Sequence, residues 1–367
     1  MAPLSRRDFL RMVTLGSGGA FLMGCGQAPA PAPTKAPEKP AAASPTQAVA
    51  APAPTKAAAA ATPAAAAAVK FPTRPVTLIC PWAAGGGTDQ VARIFAAILE
   101  KDFGQPVNVV NRTGGGGAVG HVAGATAEPD GYTLTIVTTE IAMLAHTGLA
   151  TVKPADFTPL ALVNIDPASV IVRADAKWKN LKELLDDAKA NPGKLKASGT
   201  GRGGIWDLAR AGMLKAAGLP VNAIEWVPSE GAAPALQELV AGGIDLTTCS
   251  LPEGATMIEA KKARPLAYMG DKRDPKYPDT PTLKELGIDF ATGSFRGFGL
   301  PKGAKPEIVE IYEKALKKAY DSAEYKNFMT KGGFGMEWAD AKGWAAYMEK
   351  QFETMGKLMA DVGLAKS

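Results

Sequence analysis

The chain has 367 residues, 46% hydrophobic and 21% charged, with 41 Lys and Arg against 36 Asp and Glu. Six of the basic and two of the acidic residues precede Lys70, leaving +1 from Lys70 onward, so no basic field exists to hold a nucleic acid. Two histidines, three cysteines and the lack of a G-x-S-x-G elbow exclude familiar hydrolase and metal-site patterns.

Ser5-Arg6-Arg7-Asp8-Phe9-Leu10 is a twin-arginine pattern, followed by a short apolar run to Met23. Leu22-Met23-Gly24-Cys25 then looks like a bacterial lipobox. The apolar run is too short to span a bilayer, so residues 1–25 read as a lipoprotein export signal. Cys25 becomes the lipidated first residue of the mature chain, placing it outside the cytoplasm, in the periplasm or on the outer face of the cell membrane. Residues 26–69 are almost all Ala, Pro, Thr and Lys; the prolines interrupt helix and nothing there builds a core. This stretch is expected to be a disordered tether.

From Lys70 onward strand and helix patterns alternate, which predicts an α/β fold with mainly parallel sheets. Val76–Cys80 is a strand, broken at Pro81-Trp82-Ala83-Ala84-Gly85-Gly86-Gly87 and followed by a helix with Thr88 or Asp89 as its N-cap. Strand, side-chain-free turn and helix N-terminus together form an anion site. Val107–Val110 leads likewise into Asn111-Arg112-Thr113-Gly114-Gly115-Gly116-Gly117-Ala118 and a small-residue helix. Strands are expected at Tyr132–Thr138, Thr158–Asn164 and Ser169–Val172, with helices at Glu140–Leu149 and Asn180–Ala190.

A second set begins with the strand Leu195–Ser198, the loop Gly199-Thr200-Gly201-Arg202-Gly203-Gly204 and the helix Ile205–Ala217. Ile224–Val227, Ile244–Cys249, Pro265–Met269 and Phe295–Leu300 read as strands; Ala233–Ala241, a helix ending by Ala263, Pro306–Asp321, Ala323–Thr330 and Ala341–Val362 read as helices. Two such halves facing each other make a cleft lined by helix N-termini. Trp344, Met348 and Met355 recur at helical spacing and read as core. Cys80 and Cys249 each end a strand-like run, and both a disulfide and two separate buried thiols are open.

The stretch Phe71–Asp89 resembles the start of the Bug-type extracytoplasmic solute-binding receptors of the tripartite tricarboxylate transporter family. Asn111–Gly117, Asp130-Gly131-Tyr132, Val227–Leu236, Ala241–Asp245, Pro278–Gly287 and Arg296–Gly303 are similar in the same order. The resemblance implies a two-domain periplasmic-binding-protein-like fold of type II, with the ligand cleft between domains. It implies a discontinuous domain 1 of residues 70–172 and 296–367, and a domain 2 of residues 173–295. It further implies no catalysis, no cofactor and no metal, a small organic carboxylate as ligand, and a membrane permease as partner.

The ligand-binding residues so implied are Trp82, Ala83, Ala84, Gly85, Gly86, Gly87, Thr88 and Asp89 in the first loop, and Gly114, Gly115, Gly116, Gly117 and Ala118 in the second. Thr139 follows the third strand, and domain 2 contributes Ser198, Gly199, Thr200, Gly201, Trp206, Ser229, Glu230, Gly231, Thr248, Cys249 and Ser250. Trp206 and Glu230 depart from the usual family pattern: Trp206 either faces the cleft or packs in the core, and Glu230 at the cleft would repel a second carboxylate. The alternative is an exported NAD(P)-binding oxidoreductase, because Gly115–Gly120 fits G-x-G-x-x-G and Glu140 follows twenty residues later.

Overall fold

A computed structural model describes residues 70–366. The expected signal, Cys25 and the tether lie outside the described residues. In chain order the first elements are β1 (Val76–Cys80), α1 (Gly87–Phe103), β2 (Val107–Asn111), α2 (Ala118–Ala125), β3 (Thr133–Thr138), α3 (Leu144–Thr147) and β4 (Phe157–Pro167). Then come β5 (Ser169–Arg173), α4 (Leu181–Ala190), β6 (Leu195–Ser198), α5 (Ile205–Ala216), β7 (Ile224–Trp226) and α6 (Ala232–Ala241). The last are β8 (Leu246–Thr247), α7 (Leu251–Glu259), β9 (Ala263–Tyr268), β10 (Gly293–Pro301), α8 (Pro306–Asp321), α9 (Ala323–Gly332) and α10 (Ala341–Asp361).

The strands form two five-stranded sheets, ordered β2-β1-β3-β10-β4 and β7-β6-β8-β5-β9. Each is mixed where mainly parallel sheets are expected, with one strand running against the other four: β10 is antiparallel to β3 and β4, and β5 to β8 and β9. The apolar, largely buried β1 and β3 suit the middle of a sheet covered on both faces.

Sheet membership marks where the chain passes from one sheet to the other. Only Ala168 separates β4 from β5, so the second sheet begins at Ser169, and the first regains the chain at Gly293. The crossings run side by side: Ala168 N–H donates to Thr292 O at 2.9 Å and Met269 N–H to Ala168 O at 2.8 Å. The final helix spans the lobes. Its Trp344, Met348, Met355 and Met359 are buried as expected, and near its end Asp361 pairs with Lys215 of α5 at 3.1 Å.

Two local differences bear on function. Residues 139–149 do not form one helix: a 3-10 turn at Thr139–Ala142 and the four-residue α3 replace it, broken at Met143 (φ −124°). Of the expected strand Ile244–Cys249 only Leu246–Thr247 forms a strand; before it, Asp245 accepts Lys196 N–H at 2.8 Å through its carboxylate and donates its own N–H to Lys196 O at 2.9 Å. Cys80 and Cys249 are separate buried thiols, and burial pushes the Cys80 thiol up to about 12, leaving it unreactive.

Candidate functional site

The loop after β1 is fixed by one carboxylate. Asp89 sits at the third position of α1, not at its N-cap; Gly86 occupies the N-cap with no side-chain bond. From there Asp89 accepts Gly85 N–H at 2.9 Å, Asn111 Nδ2–H at 2.8 Å and Arg93 Nε–H at 2.9 Å. Burial opposes its charge, but the Arg93, Gly85 and Asn111 bonds outweigh that and hold its carboxyl below the usual range. The second lobe repeats the device: Asp207, third in α5, accepts Gly203 N–H at 2.9 Å and pairs with the buried Arg210. With each aspartate turned into its own loop, the N–H groups of Gly87 and Thr88 have no acceptor among the described residues.

Those donors border an inner cavity of about 20 Å³ between the lobes. Trp82, Ala83, Gly86, Gly87 and Thr88 line it from the first loop; Thr200, Ile205, Trp206, Gly231 and Ala232 line it from the second lobe. Thr138, Glu140, Glu253, Ser294, Phe295 and Arg296 complete the wall. Two hydroxyls in this wall, Thr200 Oγ1 and Ser294 Oγ, are buried without a hydrogen-bond partner among the described residues. Buried polar atoms are seldom left so, and a site that aims unspent donors and acceptors at one cavity is built to hold a polar ligand.

A protein-family model described as "Tripartite tricarboxylate transporter family receptor" matches residues 91–364. This chain belongs to that receptor family. It is 32% identical over 300 residues to the "UPF0065 protein in gbd 5'region" of Cupriavidus necator, across 81% of this chain and 90% of that one. Among solved structures, MatC of Rhodopseudomonas palustris with bound malate is 28% identical with a TM-score of 0.74, covering 78% of this chain and 99% of its own. Rpa4515 of R. palustris with adipate is 29% identical at the same TM-score, covering 80% and 99%. The chain is therefore a solute-binding receptor of the tripartite tricarboxylate transporter type, a non-enzymatic and extracytoplasmic class.

The receptor's expected ligand residues divide among three places. Trp82, Ala83, Gly86, Gly87, Thr88, Thr200, Trp206 and Gly231 meet at the inner cavity. Gly114, Gly115, Gly116, Gly117, Gly201, Ser229 and Glu230 instead line an outer cavity of about 340 Å³ on the far side of Trp82. Ala84, Gly85, Asp89, Ala118, Thr139, Ser198, Gly199, Thr248, Cys249 and Ser250 line neither: Ala84 and Gly85 are exposed, and the others are buried behind these walls. Ser198 Oγ–H donates to Val227 O, Thr248 Oγ1–H to Trp206 O, and Ser250 caps α7. Trp206 lines the cavity while only 2% exposed, so it packs and faces the cleft at once. Glu230 meets the other lobe through its backbone, accepting Ala83 N–H at 3.1 Å.

Sequence reasoning missed the charged part of the receptor site. Arg296 is 1% exposed; its Nε–H donates to Thr88 Oγ1 at 2.9 Å, and the guanidinium also bonds Asn164, Asp166 and, at 3.1 Å across the lobes, Glu253. A lone arginine inside the apolar run Phe295–Leu300 was the available signal, since a buried charge requires partners. Glu140 is buried too. It accepts Thr138 Oγ1–H at 2.6 Å and, across the lobes, Ile205 N–H at 3.2 Å. Burial pushes both glutamates above the usual range, against the Thr138 and Ile205 bonds for Glu140 and the Arg296 charge for Glu253. Glu140 is the acid a dinucleotide fingerprint would use on a ribose, and it is spent on α5.

Thr138 joins this site to the second glycine loop. It accepts Trp82 Nε1–H at 3.2 Å, while its backbone N–H donates to His121 Nε2 at 3.1 Å. That assigns the proton of neutral His121 to Nδ1, which donates to Gly117 O at 2.8 Å. Burial lowers the His121 pKa from 6.5 to about 4, so the unfolded chain binds this proton first as pH falls. Stability from His121 is thus complete above pH 6.5 and drains away towards pH 4, by about 3 kcal/mol. His121→Phe should lack that component in urea melts taken across the same range; an identical pH slope would refute the assignment.

Proposed function

We propose that the receptor captures a small organic carboxylate between its lobes and presents it to a membrane permease. The observation that carries this reading is the convergence of unspent groups on one interlobe cavity: Gly87 and Thr88 N–H with the Thr200 and Ser294 hydroxyls. One helix end carries the equivalent of about half a positive charge, and its N–H groups replace the hydration of a carboxylate without a lysine or arginine. The receptors bound to malate and adipate support the ligand class.

With the lobes as placed here the cavity is about 20 Å³, while one water needs roughly 10–15 Å³ by the same measure. A carboxylate of several carbons therefore enters by parting the lobes about the paired crossings at Ala168 and Thr292. Domain 1 is residues 70–168 and 293–366, and domain 2 is residues 169–292. Export by residues 1–25, lipidation at Cys25 and a tether over 26–69 complete the proposal, leaving the folded part to work in solution beside the membrane.

A thermal-shift series on the purified protein tests it, with succinate, malate, adipate and 4-aminobutyrate against NAD and NADP. At a concentration a hundred times its Kd, a bound carboxylate stabilises by about 2.7 kcal/mol and raises Tm accordingly. Stabilisation by the dinucleotides alone would overturn the reading.

A further inference from the structure

The second lobe's helix α5 begins beside the cavity, where the far end of a ligand would meet its N-terminal N–H groups. The first lobe already fills that position. Glu140, 2% exposed, places Oε1 3.2 Å from Ile205 N, the first N–H of α5. Glu253 borders the same cavity, bonded to Arg296 at 3.1 Å.

Arg296 does not reverse this balance. Thr88, Asn164, Asp166 and Glu253 take four of its five N–H groups, which leaves no pair for bidentate capture of a ligand carboxylate. The cavity thus has one wall of unspent backbone N–H groups at α1 and another carrying the Glu140 and Glu253 carboxylates. The unpartnered hydroxyls of Thr200 (3% exposed) and Ser294 (5% exposed) border it as well. A carboxylate fits the first wall. Against the second it would meet the oxygens of Glu140 and Glu253, which act as acceptors towards Thr138, Ile205 and Arg296, whereas a hydrogen-bond donor would find partners there.

We infer that the ligand is a monocarboxylate whose other polar group is a donor, an ammonium or a hydroxyl, and not a second carboxylate. Glu140 is the specificity-determining residue: it supplies the second anion from the protein. This rests on the carboxylate-receptor reading above and narrows it, in contrast to the dicarboxylates of the two R. palustris relatives.

Calorimetric titration with length-matched probes tests the inference: succinate against 4-aminobutyrate and 4-hydroxybutyrate, and glutarate against 5-aminopentanoate and 5-hydroxypentanoate. The better donor probe of a set should bind about a hundredfold tighter than its dicarboxylate. Glu140→Gln keeps an oxygen for Ile205 N–H and removes the charge, so it should narrow that ratio at least about tenfold. Glu253→Gln, which retains a capping-box residue, serves the same purpose if the first variant melts early. A dicarboxylate that binds the wild-type protein as tightly as its partners, or a ratio unmoved in a folded Gln variant, overturns the inference and leaves the receptor reading standing. Binding of no carboxylate at all overturns both.

Discussion

Arg296→Met is expected to destabilise the protein by about 3–5 kcal/mol, because it strands two buried carboxylates and not merely one. Asp166 and Glu253 lie 2% and 6% exposed at the side chain, and the guanidinium is the cation that pairs with both. Methionine fills much of the volume, so packing loss is a minor part of the effect. The loss has a pH signature. Burial already raises Glu253 above its usual range against the Arg296 charge, so losing the arginine raises it further, and destabilisation is greatest at neutral pH and shrinks as pH falls. Urea unfolding at pH 7 and pH 5 measures both features. A loss under about 1 kcal/mol at pH 7, or one that grows on acidification, would show that the network holds little energy. Arg296→Met with Asp166→Asn and Glu253→Gln should recover much of the deficit.

The second large effect falls on binding and spares folding. A Cβ on Gly201 would stand 2.6 Å from Gly116 Cα, backbone against backbone from opposite lobes, where no rotamer change can relieve the contact. Gly201→Ala therefore holds the lobes apart. Overpacking of this kind costs about 1–3 kcal/mol, here charged against the closed state, so ligand affinity should drop about 10- to 100-fold. Unfolding free energy without ligand should stay within about 0.5 kcal/mol of wild type. Small-angle scattering with saturating ligand gives an independent reading: the variant should remain more extended than the wild-type protein. Unchanged affinity would mean that the two loops do not meet in the bound state.

The alternation of strands and glycine-ended loops was legible because each signal is local. Val76–Cys80, Leu195–Ser198 and Pro306–Asp321 match their expected bounds, since apolar runs, glycine turns and a proline at the first helical turn mark them in the sequence itself. The running directions of β5 and β10 were not legible: both read as strands, but which neighbour a strand meets depends on the fold's two crossings. Residues 139–149 have helical composition, yet Glu140 is drawn across the cleft to α5 and the helix breaks at Met143. The glycine loops were found while the acid–base cluster of Glu140, Glu253 and Arg296 was not, because its members lie far apart in sequence. No spacing rule reaches from Asp166 to Arg296.

In each lobe the backbone is pinned at a glycine and again four residues later at an aspartate, Gly85 to Asp89 and Gly203 to Asp207, with three residues looped between. The residues so held are not free to change: Gly86 and Gly204 are the helix N-caps, and a Cβ on Gly87 would stand 2.7 Å from Glu253 Cγ and one on Gly204 2.6 Å from Thr200 Oγ1. Each aspartate therefore sets its loop and its helix start together, so a change inside either loop is felt by the cavity wall and by the fold at once.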